Sequence, residues 1–117
     1  MGNGYRDLIV WHRAVELTVS VYKITEEFPQ SEIYGLTAQM RRSAVSIPSN
    51  IAEGSKRGSR KDFTHFLRIA LGSGAELETQ VEIAKRLVYA EPSAFAEVEG
   101  LLTECMKMLS GMLRSKD

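Results

Sequence analysis

Residues 39–61 read QMRRSAVSIPSNIAEGSKRGSRK, and the treatment of Pro48 within them decides the fold. Leu36, Met40, Ala44, Ile47 and Ile51 recur at steps of three and four, the spacing of one buried helix face. Ala38, Val45 and Ala52 make a second apolar line. Pro48 falls inside this period. A mid-helix proline lacks an amide donor and crowds the carbonyl four residues back, here that of Ala44. The helix either stops near Ile47 or continues with a kink. The stripe stays in phase through Ile51, and Gly54 is suited to close it. One kinked helix is therefore expected, from the Ser31–Gly35 region to about Glu53. Residues 55–59, Ser-Lys-Arg-Gly-Ser, then read as a short loop.

Working outward, three more helices emerge. The first is expected over about Asp7 to Glu27, with Asp7 as its cap. Trp11, Ala14, Val15, Thr18, Val21, Tyr22 and Thr25 form a stripe, and Val10, Leu17 and Ile24 a second line. Phe28-Pro29 ends it, since a residue before proline resists the α region. The third starts at Ser59, whose pairing with Asp62 resembles a variant capping box. It carries Phe63, Phe66, Ala70, Gly74, Leu77, Val81, Ala84 and Val88. Gly72 and Gly74 each cost a helix about 1 kcal/mol relative to alanine, so another backbone is expected close by. The fourth helix opens at Pro92 and carries Phe95, Val98, Leu102, Cys105, Leu109 and Met112, widened by Leu101, Met108 and Leu113. Ser115 to Asp117 should fray. Short connections between four helices predict a single all-α domain over residues 1–117. The arrangement is an antiparallel up-down-up-down four-helix bundle with its second helix kinked at Pro48.

Composition narrows the function. No apolar run approaches the roughly 18 residues of a membrane span, and a cytoplasmic protein is expected. The lone Cys105 excludes an internal disulfide, and its apolar helix face reads as a buried thiol. Net charge is zero but segregated. Residues 41–68 hold seven basic and two acidic side chains, net +5, and residues 76–104 hold seven acidic and two basic, net −5. Such a dipole attracts a polyanion at one end or stacks plus end to minus end on copies of itself.

Catalytic chemistry finds few candidates. His12 and His65 lack partners at metal-ligand spacing, no elbow motif surrounds a serine, and no phosphate-binding glycine loop follows a strand. No cofactor and no metal are expected. Ser46, Ser49, Asn50 and Glu53 fall on one helix face, with Ser73, Glu76 and Gln80 at similar spacing on the third helix. These two stripes predict a polar seam that fixes helix register, with Arg42 within reach of Glu53 or Glu76. A sharper alternative has Glu53 or Glu76 holding an arginine of a neighbouring subunit. The remaining signal is basic: Arg41, Arg42, Lys56, Arg57, Arg60, Lys61 and Arg68. Lysines and arginines beside a helix start suit phosphate. With Phe63 and Phe66 assigned to the core, binding is expected to be backbone-directed and weakly sequence-specific.

Three stretches carry a family resemblance: YRDLIVW (Tyr5 to Trp11), EIYGLTAQMRRSAVSIPSNIAEG (Glu32 to Gly54) and LGSGAELETQVEIAKRL (Leu71 to Leu87). They resemble the bacterial four-helix-bundle family named for the 23S rRNA intervening sequence, over almost the whole chain to about Tyr89. The resemblance implies an antiparallel bundle assembled as a homopentamer around a central channel, and it favours the kinked helix at Pro48. A related branch comprises accessory proteins of diversity-generating retroelements. Those proteins act with a reverse transcriptase, bind nucleic acid and are more strongly basic than this chain. The expectation is a non-enzymatic homo-oligomer that binds RNA or DNA backbone through the basic residues. The alternative is a scaffold that docks a protein partner such as a polymerase.

Overall fold

Pro48 does not break the second helix. The computed structural model describes residues 4–114 and has four α-helices: α1 (Ile9–Thr25), α2 (Leu36–Arg57), α3 (Arg60–Arg86) and α4 (Phe95–Arg114). Pro48 is buried within α2, which continues for nine more residues. The carbonyl that loses its intrahelical donor is that of Ala44. Thr18 Oγ1 of α1 reaches it at 3.0 Å. The same hydroxyl lies 2.8 Å from Ala14 O, so one proton serves two acceptors. A neighbouring helix thus supplies the bond that proline removes.

The end of α2 differs from expectation. The helix runs through Gly54 to Arg57, and Gly58 (φ 87°) closes it in the left-handed conformation that glycine tolerates. Gly54 is needed for another reason. A Cβ there would meet Phe66 Cβ at 2.8 Å and Phe63 Cδ1 at 3.2 Å, so glycine lets α2 and α3 close together. Only Gly58 and Ser59 remain between the two helices. Ser59 caps α3 by accepting the Asp62 amide at 3.1 Å, as the sequence pattern predicts.

α1 starts later than expected. Gly4–Asp7 forms a 3-10 turn, and Leu8 takes the cap position without a side-chain bond. The cap position thus falls one residue beyond the expected Asp7. At the far end of α3, Val88 rather than glycine adopts positive φ (56°). Its amide reaches Lys85 O at 3.0 Å, and the Tyr89 amide reaches Ala84 O at 3.1 Å. This is a Schellman closure with a β-branched residue at its strained position. Pro92–Ala94 forms a 3-10 turn leading into α4. The predicted fraying at Ser115 to Asp117 lies outside the described residues.

α1 and α3 each pack on α2 and α4, the cyclic order of an up-down-up-down antiparallel bundle. The molecule extends 44 × 22 × 21 Å, in keeping with about 40 Å for a helix the length of α3. One core runs along this axis. Val10, Ala14, Leu17, Val21 and Ile24 face it from α1, so the heptad line is the inner one and Tyr22 is exposed. From α2 come Met40, Ala44, Ile47 and Ile51; from α3 Leu67, Ala70, Leu77, Val81 and Ala84; from α4 Phe95, Val98, Leu102, Cys105 and Leu109. Each fully buried large side chain contributes about 1.5–3 kcal/mol. Phe63 and Phe66 are only half-buried, and Val88 is 72% exposed. The small residues of α3 divide as well. A Cβ on Gly74 would overlap the Met106 side chain, not a backbone, and around Gly72 there is open space.

Candidate nucleic-acid interface

The predicted seam forms in part. Ser46 and Ser73 hydroxyls meet at 2.7 Å across α2 and α3, and Asn50 Nδ2 donates to Ser46 O at 2.8 Å and Oγ at 2.9 Å. This cluster joins the two helices through side-chain hydroxyls. Ser49 and Glu53 are exposed and lie outside it. Glu53 instead pairs with Arg57 one turn on, at 2.9 Å. Arg42 and Glu76 border a groove of about 420 Å³ with Gln39, Ser43, Ser46, Ser73 and Gln80, without forming an ion pair. Gln80 Oε1 is buried there without a partner among the described residues.

The seven basic residues do not form one patch. Arg41 is tied to the end of α1. Its Nε donates to Thr25 Oγ1 at 2.8 Å, Nη2 lies 3.3 Å from Tyr22 O, and the guanidinium sits 4.5 Å from the Tyr22 ring centroid. Tyr22 O loses its Glu26 amide, which turns to Lys23 O, and it takes Thr25 Oγ1 at 3.1 Å as well as the Arg41 guanidinium. Sixteen residues of helix separate Arg41 from Arg57, about 24 Å at 1.5 Å per residue. Arg41 and Arg42 therefore stand toward the opposite end of the bundle from the α2–α3 corner.

Lys56, Arg57, Arg60 and Lys61 do converge, because α2 reverses into α3 within two residues. Arg57 lies 4.9 Å from the Phe66 ring centroid while paired with Glu53. Lys56, Arg60, Lys61 and Arg68 are exposed and make no ion pair among the described residues. Arg68 follows two turns along α3. Beside the corner opens a cleft of about 330 Å³ lined by Gly4, Leu8, Gly54, Ser55, Gly58, Ser59, Arg60 and Phe63. No sequence pattern marks this cleft, because Gly4 and Leu8 come from the segment ahead of α1 and helix periodicity places Phe63 wholly in the core.

At the other end, Glu32 organises the start of α2. Its Oε1 accepts the Leu36 amide and its Oε2 the Tyr89 hydroxyl, both at 2.8 Å. The Leu36 bond first, then the Tyr89 bond, hold the Glu32 pKa below its ordinary value, and the same contact with Glu32 raises that of Tyr89. No sequence pattern flags this pair, which is 57 residues apart. His12 Nε2 lies 2.7 Å from Arg6 O. No group of three His, Cys, Asp or Glu side chains that could hold a metal occurs among the described residues. Nor is any helix among them long and apolar enough to cross a membrane.

Comparison with functionally curated proteins gives no match. Among solved structures, one similar chain is a protein of unknown function from the S23 ribosomal protein family of Bacteroides thetaiotaomicron VPI-5482. It is 27% identical, with a TM-score of 0.82 over 92% of this chain and 100% of that one. The family model for the 23S rRNA-intervening sequence protein matches residues 6–111. The chain belongs to that family.

Proposed function

We propose that this protein is a non-catalytic, self-associating helical bundle that clamps nucleic-acid backbone with the α2–α3 corner. One observation carries the reading: Lys56, Arg60 and Lys61 project from a two-residue reversal without a carboxylate partner among the described residues, and Arg57 stands beside them. Unpaired cations at a sharp corner can each take a phosphate and release its counterions. Arg41 plays a structural part instead, and Arg42 faces the seam groove.

Self-association has its own support. Ile69 and Ile83 are exposed on α3, with Leu87 exposed just past its end, and Gly72 between the first two leaves open space. Exposed apolar side chains, interrupted by the exposed Glu76 and set beside an open glycine position, leave room for a second copy. Five subunits are what the family resemblance implies, and a ring would repeat the corner once per subunit and raise a weak affinity by multivalency.

The test is a titration against labelled single-stranded and duplex RNA and DNA at several salt concentrations, with the mass in solution read by light scattering on the same sample. Affinity should fall steeply with salt, and Lys56→Glu with Arg60→Glu should weaken it and flatten that dependence. An unchanged salt slope in the double variant overturns the clamp.

A second reading is favoured by the opposite end. Ile33, Tyr34, Leu87 and Val88 are exposed there around the Glu32–Tyr89 bond, and Val88 is strained as well. This apolar end suits a protein partner, as an accessory subunit would need. Tyr34→Ser would then abolish capture of the partner while leaving nucleic-acid affinity intact.

A further inference from the structure

The cleft beside the basic corner has a chemistry that a backbone clamp does not need, and we infer that it receives one unpaired base of the bound strand. This rests on the clamp reading of the same corner. The cleft holds about 330 Å³, at the lower limit of ligand-sized pockets. Leu8 and the half-buried Phe63 give it apolar surface, and Gly54 and Gly58 line it without side chains. Ser55 and Ser59 add hydroxyls at its edge, and Arg60 belongs to both the cleft and the cationic corner.

A nucleotide has this combination: a flat, largely apolar ring joined to an anion. An inorganic anion would find no use for Leu8 and Phe63. An apolar peptide side chain would find no use for Lys56, Arg60 and Lys61, whose charge has no partner among the described residues. Charge complementarity therefore selects the polyanion, and the aromatic lining selects a strand with free bases. Base–aromatic contacts of this kind tolerate any sequence, since every base has a π-face. A base in a duplex must first leave its stack, so the cleft favours single strands over duplex. Nothing in the lining distinguishes ribose from deoxyribose.

The geometry depends on Gly54. With Phe63 Cδ1 at 3.2 Å and Phe66 Cβ at 2.8 Å from a Cβ at that position, a larger residue would push α3 away and move the Phe63 wall. The cleft is thus a product of the close α2–α3 approach, and the sequence SNIAEG of residues 49–54 contributes to it sterically.

The experiment uses fluorescence anisotropy with labelled strands of about ten nucleotides. The probes are an intact single strand, the same strand carrying abasic sites, and a duplex, in RNA and DNA forms at one salt concentration. The intact single strand should bind about tenfold more tightly than the abasic strand. Phe63→Leu keeps an apolar side chain but loses the ring, and should erase most of that difference while leaving the abasic affinity unchanged. Ser55→Met, which fills the cleft without touching the core, should do the same and guards against a folding defect in the first variant. Equal wild-type affinity for intact and abasic strands overturns the base site and leaves the clamp standing. So does a difference that both variants preserve. Failure of every probe to bind at low salt removes the clamp, and the base site with it.

Discussion

The bond from Thr18 to Ala44 O makes a sharp prediction about how a proline is carried inside a helix. Thr18→Val preserves side-chain shape and removes the hydroxyl that reaches Ala44 O at 3.0 Å. In the wild type that carbonyl has no amide at position 48 to turn to. Leaving a part-buried carbonyl unsatisfied costs about 1–3 kcal/mol, and partial access to water places this site near the lower end. At the same time Thr18 gives up its bond to Ala14 O, whose own helical partner remains. The expected loss is about 1.5 kcal/mol, or about 6 °C in Tm for a domain of this size. Replacing a hydroxyl by a methyl also changes local packing and hydration, so the decisive measurement is a double-mutant cycle. Pro48→Ala restores an amide that can bond to Ala44 O. In that background Thr18→Val should cost about 1 kcal/mol less than in the wild type. Thermal and denaturant unfolding of the four proteins, at one fixed concentration because any self-association shifts Tm, gives the coupling. Additivity within about 0.3 kcal/mol would refute the claim that α1 satisfies the carbonyl freed by proline.

Three further predictions test separate features. Val88 holds a left-handed conformation that costs a β-branched residue about 1–2 kcal/mol, and it is largely exposed. Val88→Gly should therefore raise stability by about 1 kcal/mol in denaturant unfolding, and a loss would show that Val88 makes a needed contact. Glu32 has a lowered pKa, so its contribution is present above its ordinary value of 4.5 and lost as pH falls through the lowered one. Tyr89 is raised above 10.0, so its contribution is present below that value and lost as pH rises through the raised one. The Tm gap between wild type and Glu32→Gln should therefore be widest between about pH 5 and 9 and close on either side; a gap independent of pH would count against the pair. Cys105 is fully buried, and burial pushes its thiol up to about 11. At pH 8 about one thousandth is thiolate, so iodoacetamide should leave the native mass unchanged and label the protein in denaturant. Rapid native labelling would mean that α4 opens.

The fold was legible because helix periodicity survives local exceptions. Met40, Ala44, Ile47 and Ile51 keep phase across Pro48, and all four are buried. What the pattern could not locate was the end of α2. Gly54 looks like a terminator in sequence, and its role in space is to admit Phe63 and Phe66. A glycine that closes a helix and a glycine that lets another helix approach are the same letter, and only the neighbouring element distinguishes them. The strain at Val88 was hidden for a related reason. Its place at the end of an apolar stripe predicts burial, whereas the Tyr89 bond to Glu32 and the Tyr89–Phe28 ring contact at 5.4 Å help to anchor the residue that follows it.

The candidate site was legible only as far as the chain stays local. Arg41, Arg42, Lys56, Arg57, Arg60 and Lys61 look like one basic run, since twenty-one residues contain all of them. A helix turns those residues into length, and the run straightens until Arg41 lies about 24 Å from Arg57. A reversal of two residues does the opposite and gathers Lys56 to Lys61 at one corner. Charge density along a sequence therefore overstates a patch on a helix and is most trustworthy across a turn. The cleft follows the same logic from the other side. Leu8 and Phe63 are 55 positions apart and neither is polar, so no motif joins them. They meet because antiparallel topology returns the start of α3 to the start of α1. The cations mark where a polyanion would land, and the apolar lining beside them bears on which part of it could be held. Only the second depends on tertiary structure, and so it is the part that a Phe63 variant can test apart from charge.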